Sequence, residues 1–116
     1  MGRRGDSVYA YGRLVSGLDV LTKHPGRIRE RLIAAFDGGL AAVREHDFPM
    51  PDMADRWRDI RARVAGTGTP ASPGALEVAI NALSEDAASA VAADLMDLRS
   101  TMTRWFEATD PERVRL

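Results

Sequence analysis

Cysteine is missing altogether from the 116 residues, which excludes disulfides, thiol nucleophiles and thiolate metal sites together. Lysine is nearly missing too: fifteen Arg stand against the single Lys23, a bias that points to a GC-rich genome rather than to arginine-specific chemistry. His24 and His46 are the only histidines, and neither sits in a His-x-x-x-His type of spacing, so no metal centre is expected. Aromatic residues make up 6% of the chain while Ala is abundant, so the core is expected to form by close approach of helices rather than by stacking of large rings. No apolar run approaches the roughly 18 residues that span a bilayer. The basic start, Met1-Gly2-Arg3-Arg4-Gly5-Asp6-Ser7, lacks the apolar segment that follows it in a signal peptide. A cytoplasmic location and no membrane partner are therefore expected. There is no Gly-x-Ser-x-Gly elbow, and Gly66-Thr67-Gly68-Thr69 lacks the Lys-Ser/Thr and the preceding strand of a phosphate-cradling loop. With no catalytic apparatus in view, neither an enzyme nor a cofactor is expected.

What is present is an ordinary soluble composition, 45% apolar and 28% charged, on a chain long enough to bury one core. A single helical domain over residues 1–116 is expected, with flexible ends at 1–5 and 110–116. Net charge is only −1, but residues 1–65 hold twelve basic and nine acidic side chains against four and eight in residues 66–116. A dedicated nucleic-acid binder is usually basic throughout. Opposed halves suit internal pairing or a partner that reads one face.

The hydrophobic periodicity predicts an all-α fold, a compact bundle of four to five helices. The first spans about 7–22, capped by Asp6 or Ser7, with Val8, Tyr11, Val15, Leu18 and Thr22 inward and Leu14 and Leu21 widening the stripe. Gly12, Ser16 and Gly17 are small enough to admit a neighbouring element. The second covers 25–46, opened by Pro25 with His24 or Thr22 at the cap. Because Ile28, Leu32, Ala35, Phe36, Leu40 and Val43 keep one phase, it is read as a single helix kinked at Gly38-Gly39. The third runs over 51–65 with Met53, Trp57, Ile60 and Val64 inward, the fourth over 73–83, and the fifth over 85–108 behind the cap Ser84. The Pro25-Gly26-Arg27-Ile28-Arg29-Glu30-Arg31-Leu32 run resembles that of small bacterial helical proteins without assigned roles, a likeness that implies nothing further.

Lys23, His24, Arg27 and Arg31 gather at the start of the second helix, where cations beside free N–H groups can hold an anion or an acidic partner. Arg58 and Arg61 are left unpaired on one flank of the third helix, where Asp52–Arg56 and Asp59–Arg63 occupy the favourable acid-first spacing of four. Trp57, on the apolar stripe, is expected in the core. Arg29 falls about 100° from Ile28 on the helical wheel, inside the apolar arc, and so either snorkels along the core boundary or pairs with a carboxylate such as Asp94 or Asp19. The composition and charge map favour a non-enzymatic interaction module, an adaptor, regulator or accessory subunit that binds another protein or itself. The alternative is a nucleic-acid or phosphate-ligand binder working through the Lys23–Arg31 face.

Overall fold

The computed structural model describes residues 4–65 and 75–109. Among those residues the chain is all-α, with no strand: α1 (Arg4–Lys23), α2 (Ile28–Asp37), α3 (Pro51–Ala65), α4 (Ala75–Asn81) and α5 (Glu85–Thr109), plus two 3₁₀ turns at Leu40–Ala42 and Glu45–Asp47. Residues 66–74, which hold the expected loop and the Ser72-Pro73 helix start, lie outside the described residues, as do 1–3 and 110–116.

Ser84 starts the helix on which the others assemble. Its Oγ accepts the Ala87 N–H at 3.0 Å, and Glu85 and Asp86 place negative charge in the first turn, where the helix dipole favours it. Ala88, Val91, Leu95, Leu98, Met102 and Phe106 then recur every three or four residues, and all are buried. That stripe lets α5 pack against α1, α2 and α3 at once, while α4 closes the far side on α2 and α3. Tyr11 fixes α1 to α5, its hydroxyl 2.9 Å from Thr103 Oγ1 and its ring 5.1 Å from Phe106. No helix among the described residues is long and apolar enough to cross a membrane.

α1 begins at Arg4, earlier than the cap expected at Asp6 or Ser7. Its buried face is Ala10, Leu14, Leu18 and Leu21, whereas Val15 and Thr22 are exposed. The stripe is turned toward Leu14 because α1 packs most extensively on α2, and that contact, rather than the local sequence, selects its centre. Gly17 supplies the close approach. A Cβ there would stand 2.5 Å from Leu40 Cγ, so only glycine lets the first 3₁₀ turn lie against α1. Gly12 faces open space.

The helix expected over 25–46 is shorter at both ends. Pro25 does not open it: Gly26 takes φ +113°, Arg27 is the extended N-cap residue, and its N–H donates to Glu30 Oε1 at 3.3 Å. Nor does it continue with a kink. Gly39 adopts φ +142°, a backbone region that favours glycine, and α2 stops at Asp37. The apolar phase survives because a 3₁₀ turn keeps Leu40 and Val43, three residues apart, both pointing into the core. Among the described residues Arg29 meets no carboxylate. Its Nη1 donates to the carbonyl of Leu83 at 3.1 Å, which ties α2 to the connection between α4 and α5, while Asp94 pairs with Arg63 and Asp19 with Lys23.

α3 spans the residues expected, with Pro51 at its first turn. Trp57 is 2% exposed, its Nε1 donates to Val43 O at 3.1 Å, and its ring lies 6.3 Å from Phe36 and 5.7 Å from Phe48. Asp59 and Arg63 form the expected i,i+4 pair at 3.2 Å. Arg56, however, reaches across to Asp97 at 3.1 Å instead of back to Asp52.

Candidate binding site

Concave surfaces flank α3 among the described residues. One, about 500 Å³, lies between α3 and α5 and is lined by Asp55, Arg56, Asp59, Arg63, Asp94 and Asp97. Its cations are already engaged, Arg56 with Asp97 and Arg63 with Asp59 and Asp94. It is an ion-pair seam between helices, and exposed pairs of this kind contribute at most about 1 kcal/mol each.

The opposite flank is different. Arg44, Glu45 and His46 come from the second 3₁₀ turn and its approach, Arg58 and Arg61 from successive turns of α3, and Trp57 and Val43 form the floor of a concavity of about 410 Å³. Local chemistry builds the turn: Arg44 N–H donates to the buried Asp47 carboxylate at 3.0 Å, and Asp47 Oδ1 lies 3.4 Å from His46 Nε2. Arg58 grips Glu45 with two prongs, Nε to Oε2 at 3.0 Å and Nη2 to Oε1 at 3.2 Å, and its Nη1 reaches Asp55 at 3.0 Å. Those hydrogen bonds hold the Glu45 carboxyl below its usual range and push the Arg58 guanidinium up. Arg58 is therefore fully paired, contrary to the expectation of an unpaired cation. It serves as the clamp that joins the 3₁₀ turn to α3.

Among the described residues of α3, Arg61 is the arginine without an ion pair. Its guanidinium carbon lies 6.0 Å from the centre of the Phe36 ring, its Nη1 is buried, and that nitrogen meets no hydrogen-bond acceptor among the described residues. Burial, and secondly the charge of Arg44, push its pKa down, the signature of a cation that lacks compensation. Arg44 has no carboxylate partner among the described residues either. Beside this basic hollow, and sharing Glu45 and His46 with it, runs an apolar groove of about 360 Å³ lined by Phe48, Pro49, Met50, Pro51 and Ala54. Met50 on its rim is 43% exposed.

The four other residues expected to bind an anion lie elsewhere. Lys23 pairs with Asp19 at 3.2 Å, His24 Nδ1 lies 2.7 Å from Pro25 O, and Arg31 Nε donates to Gly26 O at 2.9 Å. These bonds shape the α1–α2 connection, and only the exposed Arg27 keeps its side chain free among the described residues. Arg27 and Phe36 stand at opposite ends of α2, about 13 Å apart along its axis. The expected set thus divides into a structural group at the N-terminal end and Arg58 with Arg61 near the C-terminal end.

Arg44 was not visible from the sequence. A helix drawn to residue 46 puts it on a solvent face, whereas Gly38-Gly39 before it and Pro49 and Pro51 after it mark the compact loop that turns it toward Arg61. Among the described residues no group of three or more potential metal ligands is clustered. No protein-family model matches the sequence, and no curated protein or solved structure matches it either.

Proposed function

We propose that this chain is a non-enzymatic helical interaction module of bacterial, cytoplasmic origin that binds another protein. The observation that carries the reading is the composite surface around Glu45 and His46, where a basic hollow and an apolar groove adjoin. Interfaces draw on this pairing of an apolar anchor pocket with arginine at its edge. The bundle presents the surface on a rigid base, because Trp57, which forms the floor, is held by Val43, Phe36 and Phe48. Catalysis has less support: the one carboxylate in the basic hollow, Glu45, is neutralised by Arg58, and His46 faces the buried Asp47.

A photo-crosslinking amino acid at Met50, in the cells that express the protein, tests the reading. A discrete protein adduct is expected from position 50 and not from Glu77 on α4. Equal labelling from both positions, or none, argues against an interaction module with this face. Self-association is read from the same experiment, as an adduct of twice the chain mass, together with light scattering.

Nucleic-acid binding through Lys23, His24, Arg27 and Arg31 has weaker support, since three of the four are engaged in local bonds.

A further inference from the structure

The four arginines of α3 have sharply different surroundings. Arg56 meets Asp97, Arg58 meets Glu45 and Asp55, and Arg63 meets Asp59 and Asp94. Arg61 meets none of these acids among the described residues, although it is more enclosed than Arg56 or Arg58. The segment that follows α3, Gly66-Thr67-Gly68-Thr69-Pro70-Ala71-Ser72-Pro73-Gly74, contains no acidic residue. Enclosing a guanidinium without a counter-charge is costly, and proteins ordinarily offset the cost with a paired carboxylate. Here the fold does the reverse and sets beside it a second cation, Arg44, that has no carboxylate partner among the described residues. The Phe36 ring braces the guanidinium on one side.

We infer that Arg61 and Arg44 form a seat for an oxyanion carried by an extended acidic segment of the partner protein, with an apolar side chain of the same segment in the groove along Phe48, Pro49 and Met50. The inference rests on reading the chain as a protein-binding module and names what the module recognises. Charge complementarity selects the occupant. The hollow is lined by three guanidinium groups and one carboxylate, and that carboxylate is already held by Arg58. Two planar guanidinium groups lining one hollow suit two-oxygen recognition of a carboxylate or a phosphoryl group. The groove continues from the hollow through Glu45 and His46, so one short peptide spans both. Arg58 positions the turn and is not itself free to take the anion.

Fluorescence anisotropy with three labelled peptides tests this. One carries paired glutamates near a leucine, the second phosphoserine in place of the glutamates, and the third glutamine. Binding is expected for the first or the second, and whichever binds more tightly identifies a carboxylate or a phosphoryl source. The glutamine peptide is expected to bind about ten- to a hundredfold more weakly, the loss that accompanies one charge-assisted contact. Arg61→Met, which keeps apolar contact with Phe36, and the exposed Arg44→Gln should each weaken the charged peptide by a similar factor. Arg27→Met, at the other end of α2, should leave it unchanged. Circular dichroism of each variant verifies the fold. Equal binding of all three peptides, equal losses in Arg61→Met and Arg27→Met, or no binding of any peptide together with no displacement of Arg61 resonances by inorganic phosphate overturns the inference. If the Met50 adduct persists in that case, the interaction module stands and its partner is not acidic. If the charged peptide binds but no adduct forms at Met50, the oxyanion seat stands and the wider interaction reading fails.

Discussion

Gly12 and Gly17 lie one and a half turns apart on α1, and replacing each with alanine should move stability in opposite directions. In both, the backbone gains about 1 kcal/mol of helix preference. At Gly12 the new methyl meets nothing within 4 Å among the described residues, so the gain is realised in full. At Gly17 it would stand 2.5 Å from Leu40 Cγ and 2.8 Å from Leu40 Cδ2. Leu40 is fully buried, and the nearest atom is its branch point rather than a free end, so relief requires the 3₁₀ turn to back away from α1. Overpacking of this kind costs roughly 1–3 kcal/mol. The helix-preference term cancels when the two variants are compared, so their difference of about 1–3 kcal/mol reports the α1–Leu40 contact alone. Urea unfolding followed at 222 nm measures it. In thermal unfolding the gap corresponds to roughly 4 °C per kcal/mol for a chain of this size. Placing Gly17→Ala in a Leu40→Ala background should remove its penalty. Equal stabilisation by both alanines would refute the close approach.

Trp57→Phe leaves the buried Val43 carbonyl without its donor and opens a void beside Phe36 and Phe48, so it should lower urea stability by about 2–3 kcal/mol without changing the denaturant slope. Arg29→Met removes the bond to Leu83 O and should cost about 1 kcal/mol in the same assay, with faster amide exchange at the α4–α5 connection. Glu45 sets an acid limb on stability. Its folded pKa lies below the ordinary 4.5, chiefly through the Arg58 hydrogen bond with His46 adding a smaller push, so its contribution is present above pH 4.5 and fades as pH falls through the folded value. Glu45→Gln should therefore flatten the loss of urea stability below pH 4.5, and an unchanged acid slope would argue against the Glu45–Arg58 clamp.

The bundle is legible in the sequence wherever one element carries both its own cap and an unbroken apolar stripe. Ser84 and the Ala88–Phe106 stripe place α5, and Pro51 with Met53, Trp57, Ile60 and Val64 places α3. The reading fails where two backbones compete for one hydrophobic phase. Leu40 and Val43 satisfy a helix and a 3₁₀ turn equally well, and only Gly39 in its left-handed conformation decides between them. Arg29 shows the same limit for polar groups, since the wheel locates the side chain at the core boundary but cannot reveal that a carbonyl from Leu83 awaits it. The candidate surface is half legible. Arg58 and Arg61 stand out as cations on α3, but their opposite fates follow from Glu45, which the loop after Gly39 brings back across α3. Lys23, His24 and Arg31 read as a patch because they are close in sequence, whereas the folded connection uses their donors on neighbouring carbonyls and on Asp19.

The proposed working surface is the hollow between the second 3₁₀ turn and α3, where Arg61 has no counter-charge among the described residues. A titration of the whole chain with inorganic phosphate, read at the arginine Nε–Hε resonances, tests it most directly. A saturable displacement is expected, largest at Arg61 and Arg44, smaller at the Glu45-bound Arg58, and abolished at Arg44 by Arg61→Met. Displacements that are linear and alike at every arginine, or largest at Arg27, would contradict it.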